Sequence, residues 1–224
     1  MNIFERLPQE SARDYAFRIL KENIVTLELK PGTLISENEL ALELGLSRTP
    51  VREAIIDLAK VSIIKTIPQR GSYVSLIDPK MVEESRFLRR VLDKAVIEVA
   101  CESADANVIN ELEENVHLQE FYLERNDIEK ILTLDNQFHK LIYTAAGKDI
   151  IYDMRDSVMI HFDRVRSLSA ETVKDFKIVK DHRDMLDAII AHDAYSAVNL
   201  VDKHLNRYKF DEAQIRAESP EYFE

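Results

Sequence analysis

Four side chains in the second half of the chain have the types and spacing to hold a metal ion together. Asp135 and His139 are four residues apart, so one helix presents both on the same face. His182 and His204 stand 22 residues apart, near the middles of two successive amphipathic stretches that a short loop would fold antiparallel. Three imidazoles and one carboxylate suit zinc, nickel, manganese or iron, with geometry and availability choosing among them. His117, His161 and His192 lack such a pattern and read as packed or surface residues. A second constellation lies nearer the N-terminus. Arg48 and Arg52 share one helix face, with Thr49 beside them, and Arg70 and Gly71 close a loop between two β-prone runs. Arginine in the first turn of a recognition helix can make bidentate contacts to guanine, and an arginine at a wing tip reaches phosphate or the minor groove.

Other chemistries are excluded by what the chain lacks. Its glycines stand alone at Gly32, Gly45, Gly71 and Gly147, so no GxGxxG, Walker loop or GxSxG elbow can form. HExxH is absent, and the ExxH pair Glu114 to His117 has no second copy to complete a ferritin-type site. The single cysteine, Cys101, excludes an internal disulfide framework and suits a reducing compartment. The first residues, MNIFERLPQES, hold no signal-like apolar run, and no stretch approaches the roughly 18 apolar residues of a membrane span. A cytoplasmic location without a membrane partner is expected.

The elements that must position these residues divide the 224-residue chain into two parts. Five of six prolines and three of four glycines precede residue 80. Residues 1–77 carry no net charge, whereas residues 78–224 carry the whole net charge of -11. The first part predicts a helix from about Ser11, then a capping box, Ser36 to Glu39, that opens a second helix ending at Gly45. Ser47 caps a third helix, whose first turn tolerates Pro50, and β-prone runs at 63–67 and 72–77 flank the loop Pro68-Gln69-Arg70-Gly71. The sum is helix, helix-turn-helix and a β wing. Asp78-Pro79 then opens a long helix with Val82, Phe87, Val91, Ala95 and Val99 among its apolar positions. Amphipathic stretches at about 106–125, 128–146, 149–167, 172–191 and 194–217 complete six helices, separated by turn-prone residues around Asn126, Gly147, Ser169 and His192-Asp193. The expected fold class is mainly α: an N-terminal winged helix-turn-helix followed by an all-α six-helix bundle.

Residues 34–74, with LISENELALELGLSRTPVREAIIDLAK followed by IPQRGSYV, resemble the winged helix-turn-helix of the GntR family of bacterial transcription regulators. The resemblance implies that Arg48 and Arg52 contact operator DNA, supported by Thr49, Arg70 and Gly71. Two departures are visible: Ser62 stands where the family usually has glycine after the third helix, and Asn38 where some members carry a base-contacting arginine. The second half resembles the FCD ligand-binding domain in its six-helix, metal-binding form. Its metal motif, Asp-x3-His followed by two later histidines, is matched by Asp135, His139, His182 and His204. The family's effector-binding arginine aligns with Arg89, followed by Leu92 and Asp93, with Arg90 as the neighbouring alternative; Arg164 and Arg166 are candidates to line the same cavity.

These readings imply a non-enzymatic, ligand-responsive transcription regulator. Residues 1–77 would form the DNA-binding domain, and residues 78–224 the helical domain for effector binding and dimerisation. A homodimer would bind a pseudo-palindromic operator and respond to a small organic acid at a divalent-metal site, zinc being expected ahead of nickel or manganese. Two alternatives stand beside it: a metal-dependent hydrolase fused to a DNA-binding head, since an open metal position also serves hydrolysis, and a regulator whose metal is purely structural.

Overall fold

Ser11 opens the first helix by accepting the amide of Asp14 on its hydroxyl, and α1 (Ala12–Val25) turns Ile19, Leu20 and Ile24 inward. The structure, a computed structural model, describes the backbone of residues 1–172 and 177–224, and side chains throughout these except at 170–172 and 208–212. The expected helix starting at 172 therefore begins beside residues 173–176, which lie outside the described set. Packing divides the chain into two compact units, one of residues 1–83, 160–168 and 216–224, the other of residues 84–159 and 169–215.

In the first unit, Ser36 accepts the Glu39 amide at 3.3 Å to start α2 (Glu37–Leu44), and Gly45 ends it in the left-handed region. Ser47 occupies the cap position of α3 (Arg48–Lys60), but its side chain makes no capping bond. The physical reason is Pro50, which removes the third-position amide that a cap commonly accepts. β1 (Leu34–Ile35), β2 (Ile64–Ile67) and β3 (Gly71–Val74) form an antiparallel sheet in the order β1-β3-β2, with Leu34 opposite Tyr73 and Ile64 opposite Val74. The first strand was not expected, because two residues are too few to display alternation. Gly71 has φ +107, a conformation that residues with a Cβ rarely adopt, and a Cβ there would press at 3.0 Å on the end of the Leu34 side chain. Ser62 takes φ +62, keeping the left-handed turn without a glycine. The apolar core joins Ala16, Ile19, Leu20, Leu58, Ile63 and Val74 to Ile160 from a later helix.

The second unit is built on α4 (Pro79–Ser103), α5 (Ala106–Leu123), α6 (Ile128–Ala145), α7 (Asp149–Thr172), α8 (Lys177–Ile190) and α9 (Ala194–Glu218). The Asp78 carboxylate accepts the Lys80 amide at the start of α4, Asp105 and Asp127 cap α5 and α6, and Asn126, Gly147 and His192 supply positive-φ turns. α7 runs past the expected break at Ser169. Its residues 160–168 belong to the first unit, where Ile160 joins the core. The second core centres on Ile97, Leu112, Val116, Phe138, Met185, Leu186 and Val201. On α4 the apolar set divides: Val82 is buried, whereas Phe87, Val91, Ala95 and Val99 are exposed. The inward face of that helix carries Arg86, Arg89 and Asp93 together with Val96, Ile97 and Ala100.

Candidate metal centre and nucleic-acid interface

Asp135 and His139 on α6, His182 on α8 and His204 on α9 converge. Each offers one ligand atom, these atoms all lie within 4.8 Å of one another, and all four residues are buried. The His182 ring stacks on Phe138 with centroids 4.3 Å apart, and the three imidazole centroids are 4.8 to 5.3 Å from one another.

The surroundings set the state of each ring. His182 Nδ1 donates to Gln119 Oε1 at 2.7 Å, and Gln119 is aimed by its own amide donating to Asn115 Oδ1 at 2.7 Å. The proton therefore sits on Nδ1, and Nε2 keeps a lone pair 3.5 Å from Asp135 Oδ1, with no hydrogen-bond partner among the described residues. His139 Nδ1 lies 3.5 Å from Asp93 Oδ2 and His204 Nδ1 lies 3.6 Å from Asp181 Oδ2. At His139 an acceptor beside Nδ1 is the arrangement that orients a metal-binding histidine and leaves Nε2 to the ion, whereas the buried His204 Nδ1 makes no hydrogen bond at its 3.6 Å distance. Burial pushes the His182 imidazole down to about 3, with the charge of neighbouring His204 adding to the effect, so His182 is neutral as a ligand must be. A buried lone pair, a carboxylate and oriented imidazoles fit a divalent cation; the cluster is a buried Asp/His set of metal-site character.

Arg89 is buried on α4 and its Nε donates to Asp93 Oδ2 at 3.1 Å. Arg90 turns to Asp202 on α9 at 2.7 Å. Arg164 is not in this cluster: it belongs to the first unit, where its Nη2 donates to the Ser75 carbonyl at 2.6 Å, and Arg166 pairs with Asp163. The remaining histidines are packed or on the surface. His117 is exposed, His161 donates to the Val61 carbonyl, and His192 donates to the Cys101 carbonyl. Sequence reasoning missed Gln119, Asp181 and Tyr143. Asp181 adjoins His182 in the chain, but only the packing of α8 on α9 brings it to His204, Lys203 and Arg207.

In the first unit, Arg48, Thr49 and Arg52 are exposed at the N-terminal end of α3. Arg48 reaches Glu37 of α2 at 3.3 Å, an exposed pair that water screens and a stronger anion can replace. Arg70 and Gly71 are exposed at the turn of the β2-β3 hairpin, where the Arg70 amide closes on the Ile67 carbonyl and Gln69 takes φ +63. Two short helices with an exposed basic N-terminal turn, followed by a hairpin with an arginine at its tip, define a winged helix-turn-helix DNA-binding protein.

Comparison with known proteins agrees. Residues 13–74 match the family described as "Bacterial regulatory proteins, gntR family", and residues 84–207 match the FCD domain. The HTH-type transcriptional repressor RspR of Escherichia coli (strain K12) is 31% identical over 96% of this chain and 95% of its own length. An uncharacterized HTH-type transcriptional regulator in an unstable DNA locus of Streptomyces ambofaciens is 35% identical over 91% of this chain and 86% of its own. Among solved structures, E. coli McbR/YncC shares the fold with a TM-score of 0.79 at 21% identity, covering 93% of this chain and 98% of that one. The chain belongs to the gntR family of bacterial regulatory proteins, with an FCD domain behind its DNA-binding head. It is a DNA-binding transcription regulator, and the hydrolase alternative falls because the relatives are regulators and not enzymes. No helix among the described residues is long and apolar enough to cross a membrane.

Proposed function

We propose that this regulator is a cytoplasmic homodimer that binds a pseudo-palindromic operator and responds to a small organic acid held at a metal ion in the FCD domain. The observation that carries this reading is the convergence of Asp135, His139, His182 and His204, four buried residues whose ligand atoms lie within 4.8 Å of one another. Zinc is the preferred ion, with nickel and manganese next, since imidazole and carboxylate donors suit all three. The ion would supply a Lewis-acidic anchor for the acid. Arg89 would hold the acid's other end, and its burial strengthens such a charge-assisted contact. Arg48, Thr49 and Arg52 would read the operator, with Arg70 and Gly71 at the wing. Residues 1–77 are assigned to DNA binding and residues 78–224 to effector binding and dimerisation.

Dimerisation is supported by the exposed stripe of Phe87, Val91, Ala95 and Val99, whose four-residue spacing lines one face of α4. Replacing Val91 with glutamate is expected to yield monomers in sedimentation; a dimer unaffected by Val91→Glu would remove this face from the interface.

Thermal melting against a panel of small carboxylic acids tests the sensor reading, first on chelator-stripped protein and then after zinc, nickel or manganese is restored. Ligand at a hundred times its dissociation constant stabilises by about 2.7 kcal/mol. A shift that requires metal supports the sensor; no shift with any acid, together with collapse on chelation, would make the metal structural.

A further inference from the structure

Three donors from two helices meet on one carboxylate. Asp93 Oδ2 accepts from Arg89 Nε at 3.1 Å and lies 3.5 Å from His139 Nδ1, while Asp93 Oδ1 accepts from the Tyr143 hydroxyl at 2.7 Å. All four side chains are buried. A buried carboxylate must be met by such partners: Arg89 and His139 share Oδ2, while Tyr143 holds Oδ1 and with it the orientation of the carboxylate. Burial and the charge of Asp93 push the Tyr143 hydroxyl up, which keeps it protonated and donating.

The three histidines of the cluster have surroundings of different kinds. His182 donates to the amide oxygen of Gln119, whereas His204 Nδ1 lies 3.6 Å from Asp181 without a hydrogen bond, and the charge of Asp181 is met by Lys203 and Arg207. The acceptor of His139 is the carboxylate that also balances Arg89. We infer that Asp93 is a positioning residue of the metal centre, orienting His139, and that it couples the cation site to an anion at Arg89; this rests on the metal and effector reading above. An anion that engages Arg89 takes up part of the positive charge now directed at Asp93. The carboxylate then turns more of its own charge on His139, which strengthens that imidazole as a ligand. Linkage requires the converse, that a bound cation strengthens anion binding by the same factor.

The test needs no effector. Zn²⁺ affinity of the full chain is measured by competition with a chromophoric chelator, and the visible absorption of the Co²⁺-loaded protein is recorded, for wild type, Asp93→Asn, Tyr143→Phe and Arg89→Gln. Asp93→Asn is expected to lower Zn²⁺ affinity about 10- to 100-fold and to alter the Co²⁺ spectrum. Tyr143→Phe leaves every charge in place, so a several-fold loss in the same direction isolates orientation from charge. Arg89→Gln releases Asp93 from its competitor and is expected to raise Zn²⁺ affinity. Asp93→Asn and Tyr143→Phe both indistinguishable from wild type, with an unchanged Co²⁺ spectrum, would overturn the inference while leaving the metal reading intact. If Asp93→Asn does not fold, Tyr143→Phe decides alone: altered affinity sustains the inference and unaltered affinity and spectrum overturn it. A wild-type chain that takes up neither ion overturns the metal reading itself.

Discussion

The two units differ in where their candidate functional side chains stand: exposed in one, buried in the other. In the DNA-binding head the buried polar side chains are few, Asn23, His161 and Arg164 chief among them, and Arg48, Thr49, Arg52 and Arg70 stand outside the core. In the FCD domain Arg86, Arg89, Asp93, Gln119, Asp135, His139, Asp181, His182 and His204 are all buried. Reading DNA needs charge on an exposed face, where it contributes little to folding. Holding a small ion and excluding water needs polar groups inside, where each is costly unless paired. On the proposed assignments, the head separates function from stability and the FCD domain merges them.

Substitutions can break that contrast. The largest effect is expected for His182→Ala, which removes a stacked, buried ring and a proposed metal ligand together. Denaturant unfolding should register a loss of about 3 kcal/mol for the domain, alongside lost metal content by elemental analysis. Metal loss without destabilisation would mean that site and core are separable after all. Arg52→Ala tests the other side: specific operator affinity in a gel-shift titration should fall by about 1–3 kcal/mol, while stability stays within about 0.5 kcal/mol of wild type. Unchanged operator affinity would remove Arg52 from the interface.

Smaller effects sharpen the comparison within the head, where His161 is a buried polar exception. Burial pushes its imidazole below the ordinary histidine value, outweighing the opposing contact with the Val61 carbonyl. As pH falls below about 6.5 the unfolded chain takes up a proton that the folded chain refuses. The contribution of His161 to stability is thus complete above that pH and declines beneath it. His161→Gln should flatten the slope of stability against pH below about 6.5, the ordinary histidine value; an unchanged slope would assign it to other groups. The smallest change is a gain. Ser62 sits at φ +62 after α3, so Ser62→Gly should raise the melting temperature slightly, by about 1 kcal/mol in stability terms. A loss would show that the serine side chain contributes something its geometry does not display.

Much of the head could be read from the chain because its signals are local. Ser11, Ser36 and Gly45 mark helix ends by chemistry that acts within three or four residues, and all three act as expected. Two-residue β1 gave no such signal, since its existence depends on β3 lying beside it. The convergence of Asp135, His139, His182 and His204 was legible because helical spacing aligns the first two on α6 and the antiparallel pairing of α8 with α9 brings the last two together. What could not be read was the packing of helices that are not successive in the chain. Gln119 is one polar residue among many on α5 until α8 packs against it. On α4 the regular apolar spacing at 87, 91, 95 and 99 marks an exposed face, and the buried face mixes Arg86, Arg89 and Asp93 with Val96, Ile97 and Ala100. Arg164 read as a cavity residue, but the second half of α7 follows Ile160 into the core of the head.

That partition of α7 joins another feature of the first unit. Ile77 donates its amide to the Tyr222 carbonyl, and its own carbonyl accepts from Glu224, in a parallel bridge centred on Phe223. The unit that reads DNA is thus assembled from three separated stretches of chain. It is not a portable cassette. A hybrid regulator made by grafting residues 1–77 onto a foreign partner would strip Ile160 from its core, Arg164 from the Ser75 carbonyl and Phe223 from Ile77. Exchange of heads between relatives should succeed only when residues 160–168 and 216–224 travel with them, so these stretches belong in any swap intended to redirect operator choice.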